Sequence, residues 1–325
     1  FPEGAEYEEL GKMIRSVSQN ARVLSQAKPA VDWCGYYSAT TELLQSRSMR
    51  CRLYPSVLAL LDAAQVRLNN SCSWVDDATP VEILQTTPLI VDGGSTILAA
   101  DAVANLLRYV ENGGTYVCDA TAGTYEPGTE EPTHRLLREI GAASFTARPD
   151  GAGAIPAAEG MTLTLKKRTA IAWSPGQPVR VLVTDPQGDP VVWERTLGQG
   201  RIILIGGEIN WPESAAWLGS LVAAKAGKIP YHIEGDESIC GVLRGPEADY
   251  VVIRPLLLEG GAKKRDVRIE DIRQAGNAHI RIRGVPAAAA CTELIGGYAV
   301  QRSGDAVTLD VPRAMLAVVR IARAP

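Results

Sequence analysis

Residues 88–123 read PLIVDGGSTILAADAVANLLRYVENGGTYVCDATAG, and the order of elements within them decides the fold class. Residues 88–91 form a short apolar run that stops at Asp92-Gly93-Gly94-Ser95. From Asp101 to Glu111 the residues Val103, Leu106, Leu107 and Val110 fall on one helix face, and Gly113-Gly114 supplies the stop expected at a helix C-terminus. Residues 115–119 are apolar again and read as the next strand. Strand, helix, strand in this rhythm predicts a parallel sheet covered by helices.

Working outward, residues 30–37 read as a strand, 54–65 as a helix carrying Leu58, Leu61 and Ala64, and 134–140 as a helix ended by Gly141. A stretch rich in Gly, Ala and Pro follows over 148–160. Residues 161–165, 179–184, 191–197 and 201–205 then read as strands, with Pro186-Gln187-Gly188-Asp189 and Gly198-Gln199-Gly200 as hairpin turns. A helix over 213–226 closes this unit. Beyond Ile229 the texture changes to short strands at 250–255, 266–272, 279–283, 298–302, 306–311 and 314–321, separated by glycine-rich turns, which fits a β-sandwich. At the other end Leu10, Ile14, Val17, Ala21 and Leu24 draw one apolar stripe along a helix, a stripe expected to be buried. The chain opens on Phe1, and this helix reads as the last element of a preceding domain. The expected organisation is a linker helix over 1–28, an α/β domain over 29–228 and an all-β domain over 229–325.

At 325 residues the chain has room for two cores, and its net charge of −4 contains no long block of one sign. Lys263, Lys264 and Arg265 stand beside a Gly-Gly pair and read as a solvated hairpin tip, so nucleic acid is not an expected partner. No apolar run approaches the length of a membrane span, and no membrane partner is expected. The six cysteines, Cys34, Cys51, Cys72, Cys118, Cys240 and Cys291, include no CxxC pair and match no metal spacing. Cys118 and Cys240 read as small core residues. No cofactor is implied, and neither compartment nor redox state follows from the sequence.

Four segments in order carry a family resemblance. Residues 88–123 resemble the trimerisation domain of β-galactosidases that join a catalytic (β/α) barrel, a class I glutamine-amidotransferase-like domain and a C-terminal β-sandwich. EYEELGKMIRSVSQNARVL (6–24) resembles the helix that links the barrel to the next domain, and PAVDWCGYYSATTELL (29–44) the first strand and loop of the amidotransferase-like domain. GDPVVWERTLGQGRIILIGGEIN (188–210) resembles its late hairpin. The resemblance implies a flavodoxin-like α/β domain followed by a sandwich, without the barrel that bears the two catalytic glutamates. No catalytic residue is therefore carried over. The partners it implies are a barrel domain or subunit, further copies of the chain (a trimer) and carbohydrate.

Amidotransferase chemistry needs a cysteine on a tight strand-to-helix turn with a His base. Cys118 lies in the right strand, but Val117-Cys118-Asp119-Ala120-Thr121 lacks the glycines of such a turn, and Asn210-Trp211-Pro212-Glu213 has Trp where active members carry the His. Glycoside hydrolysis needs two facing carboxylates. Asp92 and Asp119 end neighbouring strands at the carboxyl edge, where α/β proteins bind ligands, and are the internal pair worth naming. The structural alternative, turn and cap hydrogen bonding, is the preferred reading of both. Trp74 and Tyr125 are expected in polar loops and read as interface or sugar-stacking aromatics. Asp92, Asp119, Trp74 and Tyr125 are thus the ligand-binding candidates, and no metal ligand is expected. The leading expectation is a non-catalytic oligomerisation and cleft-forming region of a glycoside hydrolase. The alternative is a stand-alone ligand-binding or scaffold protein on a catalytically dead amidotransferase-like fold.

Overall fold

The structure is a computed structural model and describes residues 5–30, 33–48, 59–60, 63–64, 73–148, 152–157, 160–225, 231–236, 238–256, 276–313 and 315–323. In chain order its elements are α1 (Ala5–Gln26), β1 (Lys28–Pro29), β2 (Cys34–Tyr37), α2 (Ala39–Ser48), β3 (Ser73–Asp76), α3 (Val81–Leu84), β4 (Leu89–Asp92), α4 (Ala100–Glu111), β5 (Thr115–Asp119), α5 (Arg135–Glu139), β6 (Ala142–Arg148), β7 (Gly153–Pro156), β8 (Thr162–Trp173), β9 (Val179–Thr184), β10 (Pro190–Leu197), β11 (Gly200–Ile205), β12 (Gly207–Ile209) and α6 (Ala215–Lys225). Strands β13 (His232–Gly235), β14 (Ser238–Arg244), β15 (Ala248–Pro255), β16 (Asn277–Arg283), β17 (Cys291–Glu293), β18 (Gln301–Ser303), β19 (Ala306–Pro312) and β20 (Ala317–Ala322) follow. Two units form: one spans Asp32–Ala64 and Cys72–Gly227, the other Phe1–Val31, Gln65–Ser71 and Lys228–Pro325.

The first unit is mixed α/β. Its main sheet has the order β3-β2-β4-β5-β11-β10-β9, parallel from β3 through β11 and antiparallel for the last two strands. Every residue of β4 and β5 is buried, as is all of β11 but Arg201, because strands covered on both faces have no solvated side to carry polar residues. On α4 the expected stripe is buried at Val103, Leu106 and Val110, with Leu107 half-buried, and the helix packs on β5 and β11. A second sheet, β12-β8-β6 with β7 on β8, is antiparallel. The expected strand over 161–165 is only the start of β8, which runs to Trp173. Of the strand expected over 30–37, Cys34–Tyr37 form β2, while 31–32 lie outside the described residues. Most of the helix expected over 54–65 lies outside the described residues, although Leu60, Ala63 and Ala64 are buried.

The second unit holds helix α1 and two antiparallel sheets, β1-β14-β15-β20-β17 and β13-β16-β19-β18. Strand β16 alternates strictly, with Ala278, Ile280 and Ile282 buried and His279, Arg281 and Arg283 outward. Its inner residues join Val251 and Ile253 of β15, Val307, Leu309 and Val311 of β19, and Val319 and Ile321 of β20 in one core. Ala248 and Tyr250 of β15 face the other way and are buried too, because Leu24 of α1 packs on that face. The Asn20 side-chain amide donates to the Leu294 carbonyl at 3.3 Å. The C-terminal turns of α1 are therefore docked, whereas the stripe is not buried along its length: Ile14 is 55% exposed and Val17 37%. Of the expected strands, 266–272 and the basic turn at 263–265 lie outside the described residues, and 298–302 is ordered as a strand only from Gln301.

Candidate functional site

The parallel strands β2, β4 and β5 end at Tyr37, Asp92 and Asp119, and the carboxyl edge they share is the candidate site. Asp92 is 1% exposed. One carboxylate oxygen accepts the Gly94 N–H at 2.6 Å and the Ser95 N–H at 2.7 Å, and the other accepts the Tyr116 hydroxyl. The Asp-Gly-Gly-Ser stretch is thus a turn closed by its own aspartate. Asp119 is 4% exposed and accepts the Thr121 N–H at 2.8 Å, the Thr121 hydroxyl at 2.5 Å and, through its other oxygen, the Ile209 N–H of β12 at 3.2 Å. Burial raises both carboxyl groups. For Asp119 it outweighs the Thr121 donors and takes the group to about 6, with the neighbouring Asp92 charge adding to the rise. The fold therefore brings Asp92 and Asp119 into electrostatic reach of one another, each with its oxygens turned to internal donors.

The other two candidates lie elsewhere on the unit. Trp74 is in strand β3, not in a loop, paired with Gly35 of β2. A Cβ on Gly35 would stand 2.5 Å from the Trp74 ring, so the indole lies against the bare backbone of its neighbour. Tyr125 follows β5, and its backbone joins that loop to the one after β4: its N–H donates to Thr96 O at 2.9 Å and its carbonyl accepts the Leu98 N–H at 3.1 Å. A third aspartate also acts at this edge. Asp77, just past β3, accepts the Tyr36 hydroxyl at 3.2 Å, the Ser38 hydroxyl at 2.9 Å and the Thr40 N–H at 3.1 Å, which ties the ends of β2 and β3. A run of hydroxyls after one strand and an Asp-Asp pair after another was its signal.

Cys118 is fully buried, and burial, with the Asp92 and Asp119 charges adding to it, holds its thiol well above the ordinary range. A reactive cysteine needs the opposite surroundings. Trp211 is 1% exposed, and its indole N–H has no partner among the described residues. His232 and His279 belong to the other unit and His134 precedes α5. Among the described residues no three His, Cys, Asp or Glu side chains are grouped to hold a metal ion.

The backbone of these elements superposes on part of several solved glycoside hydrolases. The β-galactosidase from Bacillus circulans sp. alkalophilus superposes with a TM-score of 0.64 at 12% identity, covering 97% of this chain and 44% of that one. A catalytic mutant of Gan42B, a GH42 beta-galactosidase from G. stearothermophilus, gives 0.60 at 13% identity, covering 91% and 41%. Alpha-L-fucosidase isoenzyme 2 from Paenibacillus thiaminolyticus gives 0.55 at 12% identity, covering 96% and 51%. The chain thus spans less than half the length of the two β-galactosidases. No family model matches the sequence, and no curated protein matches it.

Proposed function

We propose that this chain is the non-catalytic, oligomerising and cleft-forming region of a carbohydrate-active glycoside hydrolase of β-galactosidase type. The observation that carries the reading is coverage: the superposition takes in 91–97% of this chain and only 41–44% of the two β-galactosidases. The topology supports it. Numbered along the chain, the five parallel strands have the order 2-1-3-4-5, which is the flavodoxin-like order. Two facing antiparallel sheets with one shared core support a C-terminal β-sandwich. On this reading 1–28 is the linking helix, 29–228 the amidotransferase-like trimerisation domain and 229–325 the sandwich, and a catalytic barrel is the missing partner. The isolated chain hydrolyses no nitrophenyl glycoside and self-associates, or binds a separate barrel chain. Light scattering over a wide concentration range checks this, and a monomer throughout that captures no barrel overturns it.

The coupled pair Asp92 and Asp119 favours a second reading, a stand-alone ligand-binding or scaffold protein on the same fold. A small ligand whose thermal shift is lost in Asp92→Ala, in a chain that stays monomeric, selects it.

A further inference from the structure

Between β5 and α5 the chain turns through Thr133 and His134, and the turn is strained. His134 has φ 48° and ψ 40°, and no other non-glycine residue among those described has a positive φ. The conformation lets two successive amides, Thr133 N–H and His134 N–H, donate to the one Thr124 carbonyl at 2.8 and 3.0 Å. Beside it lies a cleft of about 470 Å³ lined by Glu126, Pro132, Thr133, Arg135, Arg138 and Glu139. That volume is within the usual range of small-ligand sites, about 300–1,000 Å³.

Three consecutive side chains at this turn hold a shielded polar atom with no partner among the described residues: Thr133 Oγ1, His134 Nδ1 and Arg135 Nε. Folded proteins leave few such atoms, and two of the three belong to residues that line the cleft, Thr133 and Arg135, where a bound group could complete them. The Arg135 guanidinium is held by Glu126 at 3.0 Å and Glu139 at 3.2 Å. Those pairs are partly exposed and cheap to rearrange, so the side chain can turn its Nε toward a ligand. Two carboxylates and two guanidinium groups leave the cleft without net charge. Behind it the His134 ring lies 4.2 Å from the Phe145 ring, and Arg138 sits 5.9 Å above the same ring.

We propose that this cleft binds a neutral saccharide, whose hydroxyls pair with Thr133 Oγ1 and Arg135 Nε and donate to Glu126 and Glu139. Balanced charge disfavours an anion, and alternating fork-shaped donors and acceptors suit vicinal hydroxyls. The choice of a sugar among neutral polyols rests on the carbohydrate reading above; the site itself does not.

The test is calorimetric titration of the full chain with galactose, mannose, L-fucose and lactose, and with inorganic phosphate as the anionic probe. Thr133→Val keeps the shape and removes a hydroxyl that has no internal partner. Its melting temperature is expected to stay level or rise while affinity for the bound sugar falls about tenfold, the worth of one hydrogen bond. Arg135→Met is expected to abolish binding. Absence of binding by all four sugars, tighter binding of phosphate, or sugar binding that neither substitution weakens overturns the proposal. None of these results alters the light-scattering outcome, so failure of the site and failure of the domain assignment are separable.

Discussion

Asp119 is where burial and hydrogen bonding pull hardest against one another. Its carboxylate has three internal donors, yet burial prevails and lifts the group from 3.8 to about 6. A raised carboxyl contributes stability that is complete below the unfolded value and is lost as pH rises through the folded one. The window is therefore about pH 4 to 6, and the shift is worth on the order of 3 kcal/mol. Asp119→Asn removes the titration but keeps one acceptor, which can hold Thr121 while the amide nitrogen opposes the Ile209 N–H. The variant is expected to be less stable than the parent by about 2–3 kcal/mol more at pH 4 than at pH 8. Urea unfolding at the two pH values checks this; a difference that does not change with pH rules it out. The pair Asp92 and Asp119 was legible in the sequence because an aspartate at a strand end before Gly-Gly or Ala-Thr is placed to close the following turn at the carboxyl edge of the sheet, as both do. Thr133 and His134 were not legible. Glu-Pro-Gly-Thr-Glu-Glu-Pro-Thr reads as a solvated loop and His134 as the first residue of the following helix, whereas the helix starts at Arg135 and His134 precedes it in a left-handed backbone that nothing local marks.

Helix α4 and the hairpin between β10 and β11 show how one element is seated on another. The Glu111 carbonyl at the helix end accepts the Gln199 N–H of the hairpin turn at 2.9 Å. At Gly200 a Cβ would stand 2.1 Å from the Val110 carbonyl oxygen and 2.2 Å from that of Gly114, both backbone atoms. Gly200→Ala must therefore push the hairpin off the helix end, at an expected cost of about 1–3 kcal/mol. Gly241→Ala in β14, where a Cβ meets nothing within 4 Å, is the control and is expected to stay within about 0.5 kcal/mol. Equal effects in the two variants, measured by denaturant midpoint, exclude the seating argument. Both partners, the Gly-Gly stop and the Gly-Gln-Gly turn, are legible in the sequence, but not their contact, which joins residues nearly ninety positions apart. Nor is β6 legible, whose residues are mostly exposed and carry no alternation, or β1, where Lys28 and Pro29 pair with Arg244 and Leu243. A proline fits there because β1 is an edge strand.

The two units each have a core of their own, and the distribution of tryptophan makes that division measurable. All six tryptophans, Trp33, Trp74, Trp173, Trp193, Trp211 and Trp217, belong to the unit built on the parallel sheet. The all-β unit, whose core centres on residues such as Ile280, has none. Tryptophan fluorescence therefore reports one unit, and far-UV circular dichroism reports both. Ile280 is fully buried on the inner face of β16, and its truncation leaves a cavity between the two antiparallel sheets. Ile280→Ala is expected to cost the all-β unit about 2–5 kcal/mol. If the units unfold as separate cooperative blocks, the circular dichroism curve gains an early transition while the fluorescence midpoint stays in place. A shift of equal size by both probes means that the chain unfolds as one cooperative block, and the boundary near Lys228 is then no boundary in stability. Separate transitions mean that the chain holds two independently folded pieces, one of which can be altered without loss of the other.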